Sequence, residues 1–178
     1  MIVKNFNTNV LINTILISSA LYLFLITSRD FFKKKYKNFA QNTAHFGLSL
    51  LILSILFNNL FSNEIITNLK VGETYDNSKT KIVFESINQK KEKNYKSIIA
   101  NFNITNSEGK NNNLSPELRI YNQPNITTSE ADIKTTLMQD KFIVINLVQN
   151  QDYFNVRYQV KPFMLWIWLS VIMISLGG

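Results

Sequence analysis

Apolar residues along this chain gather into three uncharged blocks, separated by one long region in which apolar and polar positions alternate. Residues 10–27, "VLINTILISSALYLFLIT", carry no charge, and neither does the block from Phe39 to Phe61. Each is about the length an α-helix needs to cross roughly 30 Å of hydrocarbon, so both are predicted as transmembrane helices. A third block, "FMLWIWLSVIMISLGG", follows Lys161-Pro162 and is barely long enough for another crossing. Pro162 suits the first turn of that helix, where a missing N–H costs nothing. Phe163, Trp166 and Trp168 suit the aromatic belt at a membrane–water interface.

The region before the third block changes period. In "YFNVRYQV", Phe154, Val156, Tyr158 and Val160 alternate with Asn155, Arg157, Gln159 and Lys161, the pattern of a strand with one buried face. Just upstream, "FIVINLV" is apolar on both faces and suits a central strand, and "QNQD" supplies polar turn residues for a hairpin between the two. Further strands are predicted at Lys81 to Ile87, Ile98 to Ile104 and Leu118 to Tyr121, whereas "KKEKNYK" from Lys90 reads as a solvated loop. The predicted protein is therefore an integral membrane protein of mixed class. Residues 1–61 form two transmembrane helices joined by a basic loop, residues 62–161 a β-rich sandwich or barrel-like domain, and residues 162–178 the third transmembrane helix.

A mean hydropathy of −0.03 over 178 residues would pass for a soluble domain; only the uneven distribution of apolar residues reveals the membrane. Charge adds an orientation. Of the formal net charge of +7, +4 belongs to residues 29–37 between the first two helices. Lys and Arg in a short loop stay on the side from which the chain was inserted. The loop is expected on the cytoplasmic or matrix side, and the β-rich domain in a periplasm or intermembrane space. Because topology accounts for most of the charge, no nucleic-acid partner is expected. The first block resembles a secretory signal in its basic start and apolar core, but no small-residue cleavage pattern precedes its basic exit, so it is kept as a helix of the mature protein.

Chemistry is sparse. The chain has no cysteine, so any thiol must come from elsewhere. No Gly-rich phosphate loop, Ser/His/Asp set or Cys/His cluster is present. Glu117, Glu130, Asp132 and Asp140 could in principle form a carboxylate pair, although nothing in their spacing brings two together. Glu117, Arg119 and Tyr121 alternate along an extended segment and should point to one side, where acid and base can pair.

His45 is the sole histidine, and it stands inside a predicted span, where an ionisable side chain is a functional candidate by default. Gln41, His45 and Ser49 are spaced four apart and share a helix face, and the neighbouring Ala44 and Gly47 leave room for something flat and bulky. One reading is an axial ligand to a haem iron, with a second ligand supplied from elsewhere. The other is an interfacial histidine snorkelling toward the basic side, about two turns away.

Taken in order, "AHFG" in the second helix, "VGETY", "LSPELRIYNQP", "TTSEADI", "DKFIV", "VRYQVKPFMLWIWL" and the closing "LGG" resemble the C-terminal part of the CcmF family. These are haem lyase subunits of the bacterial and mitochondrial cytochrome c maturation machinery known as system I. The resemblance runs from about Ala44 to Gly178. It implies that His45 is an axial ligand of a membrane-held haem b, and it marks Glu117, Arg119, Tyr121, Thr128 and Glu130 as signature residues of unassigned role. It implies a non-autonomous subunit that helps join haem vinyl groups to the thiols of a Cys-x-x-Cys-His segment. The partners implied are an N-terminal haem lyase polypeptide supplying the second histidine, a haem carrier protein, and apocytochrome c with its thiol-handling subunits. The membrane implied is the mitochondrial or bacterial inner membrane. One helix before "AHFG" and an end at "LGG" lead to the expectation of a C-terminal piece of a split protein. Two rival readings are a membrane-anchored sensor or adaptor with a ligand-binding β-domain, and a structural subunit of a respiratory assembly.

Overall fold

A computed structural model of the chain describes residues 3–33, 38–107, 109–148 and 151–178. Lys34, Lys35 and Lys37 of the basic loop, and Gln149 and Asn150 of the expected hairpin turn, lie outside the described residues. The chain divides into two compact units. One holds the helices together with residues 136–139 and 161–178, and the other holds the strands of 63–135 and 140–160.

The helical unit contains α1 (Val3–Phe32), α2 (Phe39–Phe61) and α3 (Met164–Gly177). α2 fills its predicted block from end to end, while α1 continues beyond residues 10–27 into polar flanks on both sides. α1 and α2 are long and apolar enough to cross a membrane, and α3 is a shorter apolar helix. Its 14 residues extend about 21 Å at 1.5 Å each. Pro162 does not open α3 as expected. It ends the last strand, and the turn into the helix is made by Phe163, a non-glycine residue at φ 60°. The ring of proline holds its own φ near −65°, so the left-handed residue needed to swing strand into helix falls one position later.

α1 and α2 meet through stacked Phe31 and Phe46 rings, 5.0 Å between centroids, and through a 2.6 Å hydrogen bond between the hydroxyls of Thr27 and Ser49. α2 and α3 approach through small residues. A Cβ on Gly47 would sit 3.0 Å from Met173 Cβ, and one on Gly177 would sit 2.4 Å from the backbone nitrogen of Ala44. Small side chains let two helix backbones come this close, which is how helices associate without help from the hydrophobic effect.

The strand unit is a two-layer sandwich. Its strands are β1 (Asn63–Leu69), β2 (Thr74–Asp76), β3 (Thr80–Lys91), β4 (Tyr95–Asn106), β5 (Asn111–Leu114), β6 (Glu117–Asn122), β7 (Asn125–Glu130), β8 (Asp132–Thr135), β9 (Gln139–Leu147) and β10 (Phe154–Pro162). One sheet runs β1-β10-β9-β8 and the other β2-β3-β4-β6-β7, with β5 also paired to β4. β9 is an interior strand of the smaller sheet, as its apolar pattern predicted, and β10 lies beside it between β9 and β1. "KKEKNYK" is mostly strand: Lys90 and Lys91 end β3, Tyr95 and Lys96 begin β4, and only the turn between them is loop. The long hairpin carries the ladder past the buried region, so its lysines sit on paired backbone without needing an apolar neighbour.

The core lies between the sheets. It is built from Ile65 and Leu69 of β1, Ile82 and Phe84 of β3, Ala100, Phe102 and Ile104 of β4, Ile143 and Ile145 of β9, and Val156 and Tyr158 of β10. Phe84 is fully buried, with its ring 4.4 Å from that of Phe102 and edge-on to Phe154 at 5.7 Å. Several motifs noted above serve this architecture. In "VGETY", Gly72 takes φ 87° and the carboxylate of Glu73 accepts the Lys70 N–H. In "LSPELRIYNQP", Pro116 is fully buried and its carbonyl accepts the Ala100 N–H. In "TTSEADI", Asp132 accepts the Ser115 N–H at 2.6 Å and Ser129 donates to the side chain of Asn146.

Replacing Phe84 by Ala should lower the stability of the strand unit by about 3–5 kcal/mol, the usual loss for an aromatic side chain deleted from a core. Denaturant unfolding of the full chain in detergent, followed by protease resistance of the strand unit, reads this directly.

Candidate functional site

Two places gather the residues singled out in the sequence, one in each unit. In the helical unit, α2 has two faces committed to neighbours. Phe46 and Ser49 turn toward α1, while Ala40, Ala44 and Gly47 turn toward α3. His45 lies on the remaining face and is exposed, in line with Gln41, Leu48, Ile52 and Ile55, which are exposed as well. Two expectations about this stripe are corrected. Ser49 does not join an open face with His45, because it is fully buried against Thr27. The room beside Ala44 and Gly47 is filled by α3, so a flat group cannot enter there.

What remains around His45 is one imidazole on a free, otherwise apolar helix face. Such a donor can fill one axial position of a haem iron, and the exposed Leu48 and Ile52 offer the apolar surface that a porphyrin edge requires. The residues therefore fit half of a two-ligand haem site. Among the described residues, no group of three or more His, Cys, Asp or Glu side chains is arranged to hold a metal ion.

In the strand unit, the five signature residues converge on the outer face of the larger sheet. Leu118 points into the core, so its neighbours Glu117 and Arg119 point away from it. The ladder sets Arg119 opposite Ser97 on β4 and opposite Thr128 on β7, and Glu117 opposite Glu130. Arg119 Nη2 donates to Glu117 Oε2 at 3.0 Å, and its Nη1 lies 3.8 Å from Glu130 Oε1. Thr128 Oγ1 donates to Glu130 Oε1 at 3.4 Å. The guanidinium carbon stands 5.3 Å from the centre of the Tyr95 ring, and Tyr95 packs on Tyr121 with 5.3 Å between ring centres.

The expected pairing of Glu117 with Arg119 is thus present, and Tyr121 shares their face. Sequence reasoning missed Tyr95, and it saw nothing bringing two of the available carboxylates together. Register supplies both, since Tyr95 is opposite Tyr121 and Glu117 is opposite Glu130. The only local cue was the run of alternating residues at 117–121.

The hydrogen bond from Arg119 holds the Glu117 carboxyl below its ordinary value, and the same bond holds the guanidinium above its own. Both groups are charged near neutrality, so this pair is suited to fixed electrostatic contact and not to proton transfer.

A model of the CcmF C-terminal beta-sandwich family matches residues 60–162. The chain is similar to the cytochrome c-type biogenesis protein CcmF of Escherichia coli (strain K12), with 26% identity over 146 residues, covering 82% of this chain and 23% of that protein. It is similar to the cytochrome c-type biogenesis protein ccl1 of Rhodobacter capsulatus, with 28% identity over 135 residues, covering 76% of this chain and 21% of that protein. Among solved structures, it is similar to the cytochrome c heme lyase CcmF, with a TM-score of 0.68 and 17% identity over 91% of this chain. That likeness is one of fold. The chain spans between 21% and 29% of the length of these three proteins.

An Arg119→Gln substitution should leave two carboxylates facing each other across β6 and β7 without a cation between them, which raises the Glu117 carboxyl. In the native chain that carboxyl lies below its ordinary value of 4.5. Its stabilising contribution is therefore complete above that value and is lost as pH falls through the lower folded-state value. The gap in unfolding midpoint between native and variant chains should accordingly narrow as pH drops through the carboxylate range, and carboxyl-carbon NMR of Glu117 should show the upward shift.

Proposed function

Because the chain belongs to the CcmF C-terminal β-sandwich family, we propose that it acts as the C-terminal part of a cytochrome c haem lyase and holds one side of a membrane haem b through His45. The observation that carries this reading is the placement of His45 on the face of α2 that neither α1 nor α3 occupies. An imidazole there is available to a group outside the three helices. A second histidine would have to come from another polypeptide, an N-terminal haem lyase partner in this reading, because His45 is the sole histidine here.

In this reading the haem, when bound, supplies electron transfer that keeps the haem to be attached in its reduced state. This chain's own part is positional. His45 would hold the group from a helix fixed on both flanks, by the Thr27–Ser49 hydrogen bond and by the glycine contacts to α3, so the helix face that presents the imidazole is set before anything binds. The exposed apolar side chains of Leu48 and Ile52 beside it would shield a group held there from water. Haem attachment to apocytochrome c draws its thiols from that substrate, in keeping with a chain that has none. The charged outer face around Arg119 offers a contact surface to the haem carrier or to the thiol-handling subunits. The strand unit then lies in the periplasm or intermembrane space of a bacterial or mitochondrial inner membrane.

Purified lyase complex containing His45→Ala should lose the b-type bands of its reduced-minus-oxidised optical spectrum while keeping this chain in the complex. An assembled complex with an unchanged spectrum would remove His45 from the site.

A further inference from the structure

The turn from β8 into β9, residues 136–138 together with Gln139 at the start of β9, belongs to the helical unit and not to the sandwich. It is a tight turn closed on itself: Thr136 N–H and Thr136 Oγ1 both donate to the Gln139 carbonyl, at 3.0 and 2.7 Å, and the Gln139 N–H donates back to Thr136 Oγ1 at 3.1 Å. At its tip stand Leu137 and Met138, which are 68% and 61% exposed. Two adjacent large apolar side chains displayed on a rigid tip are unusual on a surface facing water.

The backbone of the tip is tied to the start of α3. The Trp166 indole N–H donates to the Leu137 carbonyl at 2.8 Å, and the Phe163 N–H donates to the Met138 carbonyl at 2.8 Å. Both tip carbonyls are thereby satisfied inside the unit. A turn can enter a region poor in water only when its peptide groups are satisfied in this way.

Its depth follows from α2. Twenty-three residues rise about 34 Å, slightly more than the roughly 30 Å of a bilayer core, so the last turn of α2 reaches the boundary. There Asn58 Nδ2 donates to the Pro162 carbonyl at 2.6 Å, and the Phe57 and Phe163 rings lie 5.3 Å apart. The 136–139 turn is bonded to that same Phe163, and Trp166 is of the residue type that settles among lipid headgroups.

We infer that the 136–139 turn is an interfacial anchor whose Leu137 and Met138 side chains enter the boundary between headgroups and acyl chains. Its partner is the lipid surface itself. The tip is uncharged and its two carbonyls are already bonded, so what it offers is apolar area, which a bilayer boundary takes without further recognition. This inference rests on α2 spanning the membrane and is independent of the haem reading.

The absence of cysteine makes the test direct. The full chain carrying Met138→Cys, and separately Leu137→Cys, is labelled with an environment-sensitive nitrobenzoxadiazole dye and reconstituted in phosphatidylcholine–phosphatidylglycerol vesicles. Ser78→Cys, on the turn between β2 and β3, serves as the control in water. The expected result is blue-shifted emission at 137 and 138, quenched several-fold more by a lipid spin-labelled near its headgroup than by aqueous iodide. Emission like that of the control, quenched by iodide, would overturn the anchor. Blue-shifted emission that neither quencher reaches would overturn it as well, by showing that protein and not lipid covers the tip. Because no hydrogen bond of the turn uses either side chain, each variant retains the geometry being tested, and agreement between the two positions guards against a local fault in one.

Discussion

Backbone groups that leave a strand ladder before a helix has begun must find other partners, and the passage from β10 into α3 is organised around that constraint. At Pro162 the last strand ends, and the helix does not begin until Met164. The carbonyl of Pro162 takes a hydrogen bond from Asn58, the N–H of Phe163 goes to Met138, and the indole of Trp166 goes to Leu137. Phe163 adopts a left-handed conformation to make this possible. That backbone state is rare for an aromatic residue, and it is held by the partners around it: its ring lies against Phe57 and its N–H is committed. A side chain from α2 and a turn from between two strands are thus recruited to finish the start of a third element.

The same economy of contacts sets the direction in which His45 points. α2 is clasped on one side by aromatic and hydroxyl contacts to α1, and on another by glycine and alanine contacts to α3. Helices so close cannot rotate without bringing a Cβ into a backbone. The face left over is decided by where the small residues stand, and the imidazole occupies it. Ala44 and Gly47 thus matter to the haem reading indirectly: by packing against α3 they set which face of α2 carries His45 outward, and they make no space of their own for a cofactor.

The helices and the strongest strands were legible because burial leaves a periodic trace. α2 begins and ends where its charge-free block does, and in β10 Val156 and Tyr158 are buried on either side of exposed Arg157; Gln159, expected on the outer face, is buried as well, where its amide donates to Glu64. β7, β8 and β5 left little trace. "NITTSE" and "DIKT" are largely exposed and lack an apolar face, so pairing with a neighbouring strand holds them and their own side chains announce nothing. In β1, Ile65 and Leu69 are buried while Ile66 is exposed, which blurs the period of two. At the site, local alternation revealed that Glu117, Arg119 and Tyr121 share a face. The approach of Glu130 and Tyr95 depends on which strands pair and in what register, and that is set by the whole sheet.

The motif residues of the strand unit then separate by what they touch. Gly72, Glu73, Pro116, Ser129 and Asp132 are used up in turns, in burial and in bonds between strands. Arg119 and its neighbours are not needed by the core, since they lie on the far side of β6 from Leu118. A pair whose side chains still reach solvent, 33% exposed for Arg119 and 21% for Glu117, contributes modestly to stability, so stability alone is a weak reason for a guanidinium braced by two carboxylates and a tyrosine ring. Bracing does have a consequence for recognition. A long cationic side chain normally loses much rotamer freedom on binding, and Arg119 has already lost it in the free chain, where Glu117 and Tyr95 fix its position. A surface prepared in this way can meet a charged group in one defined geometry, without the ordering cost that a free arginine side chain carries.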